Sequence, residues 1–98
     1  MIVRTLTVTN ALGLHARAAA RLVHAANGFA SQIRVGCRGR EMDGKSIMGL
    51  LLLAAAQGSS IRITADGADE RDAIGALCGL VERGFDEGPA DAGHGQPR

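Results

Sequence analysis

Aromatic side chains are nearly absent from this sequence of 98 residues, which contains two phenylalanines and neither tryptophan nor tyrosine. The interior must therefore be built from aliphatic side chains, and a chain of this length forms one domain with a single thin core. The lack of aromatics also removes the platforms on which single-stranded nucleic acids stack. Because the formal net charge is only +1, the basic bias of a nucleic-acid-binding domain is missing too. We therefore expect no nucleic-acid partner.

Long hydrophobic runs and clustered cysteines are lacking as well. The longest apolar run extends from Ile47 to Ala56, contains Gly49 and is too short to span a bilayer. The N-terminal residues have the pattern of a strand and not that of a signal peptide. Cys37 and Cys78 lie far apart and form no C-x-x-C pair, which argues against a zinc site and against a disulfide framework. We expect a cytoplasmic protein with reduced cysteines and with no metal, no cofactor and no membrane insertion.

Hydrophobic periodicity predicts seven elements of secondary structure. Alternating apolar and polar residues indicate four strands, at residues 2–8, 32–37, 40–43 and 61–65. Helical spacing indicates three helices, at residues 16–27, from 47 to an end at Gly58, and from about 69 to 83. The first helix has an apolar stripe of Ala19, Leu22, Val23 and Ala26. The third is expected to bury Ile74, Leu77, Cys78 and Val81.

This element order predicts an α+β fold, an open-faced β-sandwich of the order β-α-β-β-α-β-α. Three helices cannot cover both faces of so small a sheet, so we expect all three on one face and water on the other. Polar residues at outward strand positions agree with this arrangement, and they are Thr5, Thr7, Arg34, Arg62 and Thr64. Right-handed crossovers suggest a four-stranded antiparallel sheet in which the last strand lies between the first and the second.

The C-terminal segment differs in composition from the rest of the chain. From Gly84 onward it is rich in Gly, Pro and acidic residues, and apart from Phe85 it has almost nothing to bury. We therefore expect it to be mobile. The domain is assigned to residues 1–87 and the flexible tail to residues 88–98.

A histidine stands between a glycine turn and an alanine-rich helix, in the stretch GLHARAAA that begins at Gly13. The start of a helix exposes unpaired N–H groups and the positive end of the helix dipole, which together bind phosphate. That dipole favours the neutral form of the His15 imidazole, which is able to attack phosphorus. Arg17, if it folds back over the ring, meets phosphoryl oxygens through two hydrogen bonds. The spacing alone leaves a second reading open, in which His15 is only a loop residue near a helix cap.

Two separate motifs distinguish between these readings. GLHAR followed by an alanine-rich helix, and KSIMGLLLLAAAQG from Lys45 to Gly58, stand in register with the predicted elements. Together they resemble the HPr family, the histidine-containing phosphocarrier proteins of the bacterial phosphotransferase system. The resemblance covers residues 2 to about 87.

This resemblance implies a function and its partners. His15 matches the histidine that takes a phosphoryl group, through Nδ1, from phosphorylated enzyme I and ultimately from phosphoenolpyruvate. The group then passes to a IIA domain, so the protein is a stoichiometric carrier and not an enzyme. Arg17 matches the arginine that steadies the phosphoryl group.

The resemblance also implies a regulatory site and a docking surface. Ser46 matches the serine that the HPr kinase/phosphorylase modifies, although serine is also a favoured helix N-cap. Partners are expected to dock on the exposed part of the second helix, at Ile47, Met48 and Leu51. Residues near the same face are Ala16, Ala20 and Arg21. Because Leu50, Leu53 and Ala54 suffice for the sheet-facing stripe, Met48 is expected to point outward.

One residue departs from the family pattern, and several functional alternatives stay open. The family usually has proline after the arginine, where this chain has Ala18, and we expect a looser helix start as a result.

A nitrogen-related branch of the phosphotransferase system is an alternative to sugar uptake. A regulatory binding module controlled through Ser46 is a second alternative, and a metabolite-binding domain a third. We expect a monomer.

Overall fold

The computed structural model describes residues 1–87, and the predicted order of elements is confirmed. The four strands are β1 (Ile2–Thr7), β2 (Gln32–Cys37), β3 (Arg40–Asp43) and β4 (Ser60–Asp66). The three helices are α1 (Ala16–Ala26), α2 (Ile47–Leu53) and α3 (Glu70–Glu82). The predicted flexible tail, residues 88–98, lies outside the described residues.

The sheet has the order β1-β4-β2-β3 with antiparallel pairs throughout, so the predicted place of the last strand is confirmed. Ile61 and Ile63 of β4 pair in register with Leu6 of β1 and Val35 of β2. Thr64 is an exception among the outward positions, because it is only 9% exposed. The reason is that β4 is a central strand, so neighbouring side chains flank Thr64 on both sides.

The helices cover one face of the sheet and enclose a core whose buried residues are aliphatic apart from Phe85 and Cys37. The apolar stripe predicted for α1 is confirmed, and Ala18 is buried beside it. In α3 the buried residues are Ala73, Ile74, Leu77, Leu80 and Val81. Cys78, which was expected in that stripe, is only half-buried, and Leu80 is buried in addition. The open-faced sandwich expected from the sequence is therefore the observed architecture.

Helix α2 ends earlier than the sequence predicted, so the expected end at Gly58 is wrong. Ala54 adopts a left-handed conformation with φ of 50° and ends the helix. The Arg38 guanidinium donates to the carbonyl oxygens of Leu53 and Ala54 at 3.2 Å. Such contacts satisfy carbonyls that have no partner within the helix. The expectation that Ala54 fills the sheet-facing stripe is also wrong, because it is exposed.

The segment after α3 folds onto the domain, so the expectation that the chain is mobile from Gly84 is wrong for residues 84–87. Phe85 is fully buried, and its amide donates to the carbonyl of Leu80 at 2.9 Å. The Arg21 guanidinium donates to the carbonyl of Phe85 at 2.7 Å. Gly84, Phe85 and Asp86 all have positive φ angles between 59° and 66°, which turns the chain back toward α1. Burial of one aromatic ring offsets the cost of ordering this polar segment.

Asp69 connects the start of α3 to the residues before β2. Its carboxylate accepts hydrogen bonds from the Ser31 hydroxyl and from the backbone amides of Ala30 and Ser31. The Ser31 hydroxyl and these amides hold the pKa of Asp69 below its ordinary value. The ionised carboxylate is therefore a structural element of the fold.

We expect Phe85→Ala to lower the free energy of unfolding by about 3–5 kcal/mol, because it leaves a cavity in the core. Urea denaturation measures this change. Leu52→Ala, a truncation at an exposed site, is the control and should change stability by less than about 0.5 kcal/mol. A loss below about 1 kcal/mol for Phe85→Ala would show that residues 84–87 are not docked in solution.

Asp69 should also make stability dependent on pH. Since its pKa is lower in the folded state, its contribution is complete above about pH 4 and is lost as the pH falls below that value. In Asp69→Asn we expect a lower free energy of unfolding at neutral pH and a shallower decline in acid, measured by urea titrations between pH 7 and pH 2. Asp72→Asn, in the exposed first turn of α3, is the control. Parallel acid profiles for Asp69→Asn and the wild type would contradict the assignment.

Candidate functional site

The loop that presents His15 is seated on the segment that follows α2. The Leu14 amide donates to the carbonyl oxygen of Ala55 at 2.8 Å. Gly13 has φ of +64°, and a Cβ at this position would lie 2.5 Å from the same oxygen. Glycine is therefore required here both for the backbone conformation and for the close approach. This contact determines where α1 begins and, with it, the position of His15.

His15 is the N-cap of α1. Its backbone is extended, with φ of −81° and ψ of −178°, and its carbonyl accepts the first helical hydrogen bond, from Ala19 at 2.8 Å. Nδ1 of the ring accepts a hydrogen bond from the Arg17 amide at 3.3 Å. Because an amide can only donate, this contact fits the tautomer of His15 in which Nδ1 is the acceptor, at the amino end of the helix. The side chain is half-buried, so the ring is held by the fold and still reachable from outside.

The other ring nitrogen contacts a carboxylate. Nε2 of His15 lies against the Glu87 carboxylate. Asn10 joins this contact to the loop, because its Nδ2 donates to Glu87 Oε1 at 3.0 Å and to the Gly13 carbonyl at 2.8 Å. Sequence reasoning missed both Glu87 and Asn10. A lone aromatic, Phe85, within a polar segment was the available signal that the chain returns to the domain.

Arg17 shares a shallow pocket with the histidine. The pocket has a volume of about 380 Å³ and is lined by Leu12, His15, Ala16, Arg17 and Glu87. The structure thus brings the two predicted site residues, His15 and Arg17, to one pocket. Arg17 also borders a neighbouring groove between α1 and α3, together with Ala20 and Arg21. Ala16 and Ala20 are exposed, whereas the guanidinium of Arg21 holds the carbonyl of Phe85.

Ser46 occupies the N-cap of α2, as its place before the apolar run predicted. Its Oγ accepts a hydrogen bond from the Gly49 amide at 3.0 Å, and its backbone is extended. The side chain is half-exposed. The capping role is therefore confirmed by geometry, and the hydroxyl lies at the edge of the surface of α2.

An apolar surface lies along α2, which packs against α1. Met48 is 71% exposed and Ile47 is 41% exposed, in agreement with the expectation that both point outward. The expectation that Leu51 belongs to the exposed part of α2 is wrong, because Leu51 is half-buried and packs against the core. Leu52, at 55% exposure, and Leu12, at 53%, are exposed residues that sequence reasoning did not include. Met48 and Leu52 are four residues apart in α2 and so share one helix face, and exposed apolar side chains that are grouped in this way are typical of a surface for protein contacts.

Comparison with known proteins identifies the family. A family model with the description "PTS HPr component phosphorylation site" matches residues 2–83. The chain belongs to the HPr family. The phosphocarrier protein HPr of Xylella fastidiosa (strain Temecula1) is 52% identical over 87 residues, which are 89% of this chain and 98% of that protein. The resemblance inferred from the GLHAR and KSIMG motifs is thus confirmed.

Solved HPr structures share the fold. The crystal structure of HPr-C-His from Thermoanaerobacter tengcongensis matches with a TM-score of 0.86 at 42% identity, over 90% of this chain and 99% of that chain. The structure of an HPr dimer from the same organism matches with a TM-score of 0.71 at 42% identity, over 89% of this chain and 100% of that chain. These matches assign the open-faced sandwich of this chain to the HPr fold.

Within residues 1–87 the two cysteines of this chain, Cys37 and Cys78, are free, and Cys37 is buried. No cluster of three or more His, Cys, Asp or Glu side chains in this part of the chain is arranged to hold a metal ion. No helix among the same residues has the length and apolar character needed to cross a membrane.

Proposed function

We propose that this HPr-family phosphocarrier receives its phosphoryl group on Nδ1 of His15. The observation that carries the proposal is the hydrogen bond from the Arg17 amide to Nδ1. It supports a tautomer in which Nδ1 carries no proton, because a backbone amide can only donate, and it places Nδ1 at the amino end of α1. A nucleophilic lone pair in this place has backbone amides beside it that can then bind phosphoryl oxygens.

In the proposed transfer one bond to phosphorus forms and one breaks, and the histidine ring loses no proton. The Nδ1 lone pair attacks the phosphorus of the donor, and a bond between Nδ1 and phosphorus forms. The bond between phosphorus and the donor's leaving atom breaks, and that atom keeps the electron pair. Nε2 retains its proton, so the ring gains a formal positive charge beside the phosphoryl dianion. The reverse exchange delivers the group to an acceptor and restores the neutral imidazole.

The surroundings of Nδ1 favour this product. The dipole of α1 and its first amides stabilise negative charge at the helix start, by about 0.3–2 kcal/mol in helices of this kind. Arg17 lines the same pocket as His15, and we assign its guanidinium to the phosphoryl oxygens, which it can meet with two parallel hydrogen bonds. The amide of Arg17, which donates to Nδ1 in the free protein, becomes available to the same oxygens.

Phosphorylated enzyme I is the proposed donor and a IIA domain the proposed acceptor. The apolar surface of Ile47, Met48 and Leu52 supports docking of such protein partners, since it lies on a helix that packs against α1.

We further propose that Ser46 is modified by the HPr kinase/phosphorylase. A phosphate on Ser46 would place a dianion beside this apolar surface and weaken docking of partners with acidic surfaces. We also propose, from the family resemblance, that the protein acts as a monomer and in the cytoplasm.

The acceptor residue is tested by labelling. After incubation of the full chain with phosphoenolpyruvate and a cognate enzyme I, we expect one acid-labile phosphoryl group per chain and none in His15→Ala. His24→Ala removes an exposed histidine from the same helix, and it should be labelled like the wild type. Retention of the label by His15→Ala would refute the assignment.

The docking role of the apolar surface on α2 is tested by introducing a negative charge there. Met48→Glu places a carboxylate among apolar side chains, and we expect the donor concentration for half-maximal labelling to rise about tenfold, as expected when one central contact is lost. The labelling rate at saturating donor should change little. Ala68→Glu, an exposed position in the turn before α3, adds the same charge and serves as control. Equal effects of the two substitutions would argue against a docking role for α2.

A further inference from the structure

The Glu87 carboxylate contacts two residues at the start of α1 and in the loop before it. Its side chain is only 2% exposed although it follows the last helix. One oxygen contacts Nε2 of His15, and the other accepts from Nδ2 of Asn10 at 3.0 Å. Phe85, two residues earlier, anchors the segment in the core. A polar side chain this deeply covered requires hydrogen-bond partners, and the structure gives the Glu87 carboxylate two.

The two nitrogens of His15 have opposite partners, and this determines where the proton lies. An ionised carboxylate only accepts hydrogen bonds, so Nε2 must donate to Glu87. A backbone amide only donates, so Nδ1 must accept from Arg17. Both contacts are satisfied together only by the neutral ring with its proton on Nε2. This is the form in which Nδ1 is nucleophilic.

We propose that Glu87 is a positioning residue for phosphoryl transfer, which holds His15 in the tautomer that leaves Nδ1 free. The inference rests on the proposed function, since it assigns a purpose to Nδ1. Glu87 also faces the nitrogen on which positive charge develops when Nδ1 bonds to phosphorus. A fixed carboxylate at this place stabilises the charged ring in the transition state and in the phosphorylated protein. Glu87 touches neither the phosphorus nor its oxygens in this role.

The first test observes the ring directly, without any partner protein. In the full chain labelled with ¹⁵N-histidine, at a pH where the nitrogen shifts show a neutral ring, we expect a slowly exchanging Nε2–H proton and an unprotonated Nδ1. In Glu87→Ala this proton should exchange too fast to be seen, and the population protonated on Nδ1 should rise. Glu87→Gln keeps an oxygen that can accept from Nε2, so it should retain the signal. An unchanged spectrum in Glu87→Ala would overturn the proposal.

The second test measures transfer. At saturating donor we expect the labelling rate of Glu87→Ala to fall about tenfold, a typical loss when the partner that orients a functional histidine is removed. Glu87→Gln should be intermediate, because it restores the hydrogen bond without the charge. The donor concentration for half-maximal labelling should stay the same in both variants. A wild-type rate in Glu87→Ala, or a loss seen only in that concentration, would contradict a positioning role.

Glu82→Gln is the matched control, since it removes one negative charge from an exposed position near the end of α3, and it should behave as the wild type in both tests. The two tests also separate this inference from the function on which it rests. If the wild type takes no label while its Nε2 proton is held, the proposed function fails and the role of Glu87 in orienting the ring stands. If the wild type is labelled and Glu87→Ala matches it in spectrum and rate, only the inference on Glu87 fails.

Discussion

Nδ1 of His15 performs two tasks that exclude each other in time. In the free protein it caps α1 by accepting from the Arg17 amide, and in the proposed reaction it gives its lone pair to phosphorus. Serine, asparagine and aspartate are the stronger caps, so the start of α1 is a weak one, and the alanine-rich sequence maintains the helix by its intrinsic propensity. The amide released by the reaction then faces the group that displaced it. The Nδ1 lone pair therefore either accepts from the Arg17 amide or bonds to phosphorus, and the proposed reaction exchanges the first for the second.

Several of the contacts that hold His15 in place come from distant parts of the chain. The carbonyl of Ala55, after α2, receives the Leu14 amide and leaves room only for glycine at position 13. Arg21, on α1, holds the Phe85 carbonyl, and the turn that follows directs Glu87 to the ring. A thin aliphatic core offers little apolar area against which loops can pack. The loop before α1 and the segment after α3 are held instead by hydrogen bonds to the backbone and by the buried ring of Phe85.

The proposed phosphoryl transfer and the proposed partner docking are assigned to two different helices, α1 and α2. His15 begins α1 and has its nucleophilic nitrogen in a small pocket. Ser46 begins α2 and stands at the edge of an exposed apolar surface. The exposed side chains of Ile47, Met48 and Leu52 carry no nucleophile, so the proposal gives them docking alone and gives the phosphoryl group to His15. Because α1 and α2 pack against each other, a partner docked on α2 would lie near the histidine.

The sequence by itself determined the element order, the strand arrangement, the N-cap Ser46 and the family, because these depend on local periodicity and on motifs that are contiguous in the chain. It also identified His15, Arg17 and Ser46 as the candidate residues. Tertiary structure decided what contiguous residues cannot encode: that α2 ends at Ala54, where Arg38 takes up its carbonyls, and that Glu87 lies against His15. Local composition made residues 84–87 look polar and mobile. The free energy that orders them comes from a cavity for Phe85 that exists only once the helices are packed on the sheet.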